Sequence, residues 1–455
     1  MDQDVQAIPD ELDLARGQVN PHFLNHMVET AASREVQASE DIVSGSGIKL
    51  LAKGARISAQ ARERLLQHKL AKPLEDCVQV VDGVMPQSLA PLAERLLEQH
   101  PLLAQLCEHP RALPVPQSLA GLSLSVPVQS LLTLYADYQG DRLSHSVGVA
   151  MLSLALARRL LPGDIERHRQ LALAGLLHDV GELYIDPEHL RTDRPLQPEQ
   201  WRHIASHPVI GWRVLREMNG AGKQVAEAVL NHHERLDGFG YPRGIADEEF
   251  PLEGQILATS EWLMALIEAG IAPLARASVA SKLMPGEFGK PLQQVLSQLG
   301  GVDTDMADWL QAQQPLSEML PEIRRVMATL RRFRALRDEI DQQIEQAGPR
   351  LRKVLQQSLN RMLRIQSAFS SSGLDADADP ERMLAELAAQ GDPKVQQEVQ
   401  ALAREFSWRM RELQRESLLR AGLLGDADAA VMQGLTARLR GDEAAPVPGE
   451  EKPLK

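Results

Sequence analysis

His232-His233-Glu234-Arg235-Leu236-Asp237-Gly238-Phe239-Gly240-Tyr241-Pro242 is the stretch that decides how this chain is read. Adjacent imidazoles, nearby acids and a glycine-rich turn closing on Tyr-Pro are a costly arrangement for a fold alone. Each imidazole can give a nitrogen to a different cation, and the glycines permit a backbone path that other residues resist. Matching ligand types lie upstream. The apolar stripe Leu143, Val147, Met151 and Leu154 predicts a helix from about Arg142 to Leu161 that carries His145. Asp141 stands four residues before His145, on the same helical face. His178-Asp179 ends the apolar run Leu171 to Leu177, and Gly181 is expected to break that helix. A third helix is expected to open at Pro198-Glu199 and to carry His207-Pro208, with Pro208 kinking it. A fourth, from Lys223, is expected to end in His232-His233, and a fifth, Gly254 to Glu268, offers Glu261. Apolar helices that each present one or two ligands build metal sites inside helical bundles.

The donor set narrows the metal. Five imidazoles (His145, His178, His207, His232, His233) with the carboxylates Asp179, Glu261 and Asp141 are too many for one ion. No cysteine joins them, which argues against a tetrahedral thiolate zinc site. Imidazole with carboxylate suits iron, manganese, zinc or nickel. Two divalent ions about 3.5–4 Å apart lower the pKa of a shared water from about 15.7 toward about 7 and so supply a nucleophile for phosphorus. Asp179 is the natural bridge, because a carboxylate has two oxygens to share. Plainer readings stand beside these. A lone histidine on an apolar helix is usually a packed one, and His168, His189 and His203 are read that way. Asp141 also reads as a helix-start residue favoured by the dipole, Glu261 and Glu182 as solvated acids, and Glu234 and Asp237 as acceptors for the backbone of the glycine turn.

The segment from about Leu131 to Glu268, about a third of the chain, resembles the HD-GYP domain, the HD-superfamily phosphohydrolases that cleave cyclic di-GMP. His178-Asp179 matches the HD pair, and His232 to Pro242 matches the HHExxDGxGYP signature at every fixed position. The resemblance implies that His145, His178, Asp179, His207, His232 and His233 are metal ligands. Glu261 takes the place of a family Asp, one methylene longer. It implies two divalent ions, iron or manganese first among the candidates, with Asp179 also carrying the catalysis. A third ion is implied in some members by a Glu one turn before the first His, where Asp141 stands. Gly240, Tyr241 and Pro242 are implied to touch a guanine base or a partner such as a diguanylate cyclase. Three positions depart from the pattern. The family's HD-x-Gly-Lys reads His178-Asp179-Val180-Gly181-Glu182, its late second Asp is Met264, and Ile267 to Leu274 lacks the family's basic residues. Glu182 would repel a phosphate by up to about 4 kcal/mol at about 4 Å and an effective dielectric near 20.

Composition bounds the rest. A chain of 455 residues holds two to four domains. A net charge of −13 argues against binding a nucleic-acid polymer or an anionic membrane. Two cysteines, Cys77 and Cys107, fit a reducing cytoplasm better than a disulfide framework. No apolar run reaches membrane-spanning length, and Met1-Asp2-Gln3-Asp4 lacks a signal-peptide pattern. Residues 1 to about 35 read as polar and partly disordered. Residues 1–84 as a whole read as a small α/β module: strand, turn and strand from Ile42 to Leu51, a helix from Ala59 to Leu70 capped by Ser58, and a strand at Val78 to Val81. Residues 85–127 read as a helix from Leu89 to Leu106 and a proline-rich linker, and 128–270 as the metal-binding core. Residues 271–440 read as long helices, one with an arginine-rich face from Arg324 to Arg337, followed by a disordered tail from Gly441.

The expected fold is mainly α: an HD-superfamily helical bundle core with a small N-terminal α/β module and a helical C-terminal region. The expected function is metal-dependent hydrolysis of cyclic di-GMP. The main alternative is a signalling protein that keeps the metal pocket with little or no turnover and senses the nucleotide or binds a partner. A third is a metallophosphohydrolase of another nucleotide, marked by a Lys or Arg brought into the pocket from the C-terminal helices. Self-association stays open.

Overall fold

The computed structural model describes residues 17–138, 142–191, 198–246, 249–270, 273, 277, 287–290, 293–295, 319–371, 376–390, 393–422 and 424–441. The chain forms two compact units, Met1–Gly270 with Phe288–Leu292, and Ile271–Glu287 with Gln293–Lys455. Both are mainly helical, and the strands lie in a small N-terminal module.

In the first unit the module opens with α1, Pro21–Thr30, inside a region expected to be irregular. Asn20 nucleates it: its Oδ1 accepts the amides of His22 and Phe23 at 2.9 and 3.0 Å. Strands β1 (Val36–Ala38), β2 (Ile42–Val43), β3 (Lys49–Leu51) and β4 (Val78–Val80) pair antiparallel as β1 with β4 and β2 with β3. Helix α2, Ala59–Leu66, starts at the Ser58 cap but stops short of Leu70. There the chain turns away so that the Leu70 amide can donate to the Gly17 carbonyl.

The helix expected over Leu89 to Leu106 is two, α3 (Pro86–Gln99) and α4 (Pro101–Cys107), because Pro101 opens a new first turn. The expected linker is also helical. It contains α5, Val115–Ala120, and the start of α6, Val126–Tyr138. Pro116 and Pro127 fall in first turns, where no amide hydrogen bond is lost. Val115 and Leu119 are buried, which a free linker would not allow.

Helix α7, Arg142–Leu160, is the axis of the core, buried without interruption from Ser146 to Ala157. Around it lie α8 (Ile165–Leu177) and α12 (Leu252–Glu268); α11 (Gly222–Leu230) packs on both, and α10 (His207–Leu215) packs on α11. A short helix, α9, spans Pro198–Ile204. Met264, where the family carries an acid, is fully buried against Gly148 of α7 and so belongs to this core.

The second unit holds α13 (Leu320–Gln346), α14 (Pro349–Ser371), α15 (Pro380–Gln390), α16 (Pro393–Ala421) and α17 (Asp426–Arg440). The α13 stripe Ile323, Val326, Met327, Leu330 and Phe333 is buried. Its arginine face is largely engaged within the chain. Arg334 pairs with Asp377 at 2.5 Å, Arg331 donates to the Ala376 carbonyl at 2.7 Å, and Arg324 meets Glu381. A buried ionic cluster joins Glu287 to Arg361 at 3.1 Å and to Arg409, with Glu405 on Arg409 at 2.9 Å. Among the described residues no helix is long and apolar enough to cross a membrane. The tail beyond Gly441 lies outside the described residues.

Candidate metal centre

Three of the five histidines sit just past the end of a helix. Helix α8 stops at Leu177 with His178 as its cap, and a tight 3-10 turn, Val180–Tyr184, follows. Gly181 therefore does not terminate α8. A side chain there would collide with the His207 carbonyl, so glycine is what lets this turn touch the start of α10. Pro208 does not kink a continuous helix either. The chain breaks after Ile204 and restarts at His207, with the proline in the new first turn. Helix α11 ends at Leu230, leaving His232 and His233 in the turn beyond rather than inside it.

These breaks serve one device. His178, His207 and His232 each fold back and donate Nδ1–H to a carbonyl three residues earlier. The acceptors are Gly175 at 2.8 Å, Ile204 at 2.7 Å and Val229 at 2.5 Å. Those carbonyls lie in last helical turns, where backbone donors run short, and Val229 otherwise takes only a long contact from the His232 amide at 3.4 Å. A carbonyl only accepts, so the proton sits on Nδ1 and a neutral ring carries its lone pair on Nε2.

The Nε2 atoms converge. Asp179, His207, His232 and His233 bring donor atoms within 4.8 Å of one another, and so do His145, His178 and Glu261. Asp179 faces both groups. Its Oδ1 lies 3.2 Å from His207 and 3.4 Å from His232, and its Oδ2 lies 3.2 Å from His178. Glu261 lies 3.0 Å from His145 and 3.1 Å from His178, so the longer side chain still reaches. Asp141 lies outside the described residues.

The donor set fits divalent cations. Nε2 of His207 and Nε2 of His232 point at each other 3.0 Å apart. With both Nδ1 protons already on carbonyls, the approach calls for a cation between the two nitrogens, either a proton on His207, whose pKa burial lowers but Asp179 and Glu182 raise on balance, or a metal ion. Nε2 of His178 is buried without a well-aligned hydrogen bond, close to two carboxylates. Imidazole and carboxylate together suit a first-row divalent ion.

Electrostatics agree. Burial opposes charge on Asp179, but His178, His207 and His232 outweigh it and hold the carboxyl well below its ordinary range. Burial also opposes charge on His145, yet Glu261 and Glu268 raise its pKa to about 10. Burial lowers His232, and burial with the neighbouring imidazoles lowers His233 further, leaving both available as neutral donors.

One supporting group, Glu268, escaped the sequence reading, while Glu234 takes the backbone-accepting role expected of it. Glu268 holds Nδ1 of His145 with both oxygens at 3.0 Å, the orienting role that a carboxylate plays behind a metal-binding histidine. Its only sequence signal is its place seven residues after Glu261, two helical turns along the same face. Glu234 is fully buried and accepts the backbone amides of Arg243, Gly244 and Ile245 at 2.6, 3.2 and 3.2 Å. That clamp closes the loop carrying Gly240, Tyr241 and Pro242, all three buried. Tyr241 stacks on His233 with ring centroids 4.6 Å apart, which fixes the plane of that imidazole. His203 stacks on His189 at 4.3 Å and His168 bonds the Leu161 carbonyl, and none of the three belongs to either ligand group.

Glu182 is neither a solvated surface acid nor an unpaired negative charge. It is 8% exposed, ion-paired with Arg142 and within 3.3 Å of the Tyr135 hydroxyl. Arg142 therefore supplies a cation near the position where the family carries lysine.

A buried helical core gathers His, Asp and Glu from five separate elements. Residues 129–289 match the HD domain family model. The HD pair His178-Asp179 and the HHExxDGxGYP run give this part of the chain the sequence signature of the HD-GYP type. It is 33% identical over 141 residues to a cyclic di-GMP phosphodiesterase of Thermotoga maritima, covering 31% of this chain and 38% of that protein. It is 39% identical over 109 residues to a cyclic di-GMP phosphodiesterase of Pseudomonas aeruginosa, covering 24% and 26%. A 3'3'-cGAMP-specific phosphodiesterase of Vibrio cholerae is 36% identical over 125 residues, covering 28% of each. The chain thus spans between 26% and 38% of the length of these relatives.

Proposed function

We propose that this protein is a metal-dependent phosphodiesterase that hydrolyses cyclic di-GMP to the linear dinucleotide pGpG or to GMP in bacterial second-messenger signalling. The observation that carries the reading is the pair of ligand groups sharing Asp179. Two divalent ions there, iron or manganese, would supply Lewis acidity and a water of lowered pKa. His145, His178, Glu261 and Asp179 would hold one, and Asp179, His207, His232 and His233 the other. Asp179, kept ionised by its imidazoles, would be shared by the two sets. Glu268 and Tyr241 keep the outer imidazoles in plane. The buried Gly-Tyr-Pro loop excludes water behind His233. Similarity to proteins named as cyclic di-GMP phosphodiesterases supports the substrate class.

A second reading has its own observation. The residue after the HD pair that carries positive charge in the family is the buried acid Glu182 here. Such a chain could keep its metals and signal through bound nucleotide or a diguanylate cyclase with little turnover. One experiment separates the two. The protein is purified with manganese or ferrous iron, bound metal is counted, and cyclic di-GMP is followed by chromatography beside Asp179→Ala. Turnover lost in the variant supports the enzyme, and full metal without turnover supports the sensor.

A further inference from the structure

A cleft of about 850 Å³ opens beside the ligand cluster, a volume within the usual range for small-molecule sites. One wall carries His145 and Asp179 of the metal centre. The facing wall is α3, which lies before the segment matched to the HD domain model. Leu92, Arg95, Leu96 and Gln99 are spaced so that they line this cleft from one helical face. Arg142 closes it from the start of α7.

We propose that Arg95 and Arg142 form a two-guanidinium clamp for the phosphates of a nucleotide phosphodiester at the mouth of the metal centre; the inference rests on the phosphodiesterase reading and adds its missing cationic contacts. The domain's own sequence lacks basic residues at the end of α12 and just beyond it, from Ile267 to Leu274. The fold supplies them from elsewhere. Arg95 is exposed, and among the described residues its guanidinium makes no ion pair. Arg142 is oriented by Glu182 and by the Tyr135 hydroxyl at 3.2 Å, and its side chain is 24% exposed where it lines the cleft. Glu182 thus acts as a positioning residue for Arg142. The two acids on the cleft wall are already engaged, Glu268 by His145 and Asp179 by three imidazoles. Planar guanidiniums match phosphate geometry, and the part-exposed Leu92 offers an apolar surface suited to a base. With a net charge of −13, the chain otherwise repels such a ligand, so local cations matter more here.

The test is calorimetric binding of cyclic di-GMP, with a second titration of inorganic pyrophosphate, to the full-length metal-loaded chain. The variants are Arg95→Gln and the charge-neutral pair Arg142→Gln/Glu182→Gln, which leaves no buried carboxylate unpaired. Metal content and thermal unfolding are measured for each. The clamp predicts unchanged metal content and roughly tenfold weaker cyclic di-GMP binding in each, since each loses a charged contact. If wild type binds and both variants bind within twofold of it, the clamp is wrong and the phosphodiesterase reading stands. If wild type ignores cyclic di-GMP but binds pyrophosphate through both arginines, the clamp stands and the proposed substrate falls. No binding of either ligand by metal-loaded wild type overturns the clamp.

Discussion

Replacing Glu234 with alanine isolates how the signature loop supports the metal centre. Glu234 is fully buried, and its carboxylate accepts three backbone amides, one at 2.6 Å and two at 3.2 Å. A hydrogen bond to a charged group contributes about 1.5–3 kcal/mol, and two of these are long, so the set holds the loop by roughly 3–5 kcal/mol. That is a large share of a typical domain's stability of about 5–15 kcal/mol, so local opening is the lower-energy response. Opening carries Tyr241 off His233 and loosens the Asp179, His207, His232 and His233 group. The His145, His178 and Glu261 group does not depend on the loop. Hydrogen exchange reads the first effect, as loss of protection at the amides of Arg243, Gly244 and Ile245. Metal analysis reads the second, as a fall from two bound ions toward one. Glu234→Gln keeps an acceptor oxygen and is expected to retain about half of the protection energy. Unchanged protection and an unchanged metal count in Glu234→Ala would refute the reasoning.

Other outcomes follow from the same geometry. Glu268→Gln weakens the acceptor behind His145 and is expected to lower metal affinity about 10- to 100-fold in chelator competition, with the fold intact. Gly181→Ala sets a methyl group against the His207 carbonyl, and is expected to cost about 1–3 kcal/mol in denaturant unfolding. In the second unit, burial pushes Glu416 up to about 7 from an ordinary 4.5, against the pull of Arg420 and Arg415. A carboxyl with a raised folded pKa favours the folded state at low pH, and that stability is lost as pH rises through about 7. Glu416→Gln should therefore flatten the fall in stability between about pH 4.5 and 7, and unfold later than wild type at pH 8, by an amount on the order of 3 kcal/mol.

Much of the centre was legible because its ligands are rare residue types in an apolar setting. His145, His178, Asp179, His207, His232, His233 and Glu261 were all named from the sequence, and the structure gathers them. The helix ends around them were misread for a physical reason. Apolar periodicity runs into His178 and up to His232, but each ring must leave the helix to cap its last carbonyls, and periodicity does not record capping. Proline was misread in both directions, because a first-turn proline and a kinking proline look alike until the flanking residues are placed; Pro101, Pro116 and Pro208 are all first-turn prolines. Glu182 looked repulsive because its partner lies 40 residues away at Arg142. Arg95 was invisible as a site residue because only the fold brings α3 to the cleft. The buried ions Glu287, Arg361 and Arg409 left no mark in the sequence, since charge alone gives no sign of burial.

The most direct test is anomalous diffraction from crystals grown with manganese, collected at energies that mark that metal. The account predicts two peaks about 3.5–4 Å apart, the separation typical of paired catalytic ions, one beside His145, His178 and Glu261, the other beside His207, His232 and His233, with an oxygen of Asp179 on each. A single peak, or none within coordination distance of Asp179, would contradict it.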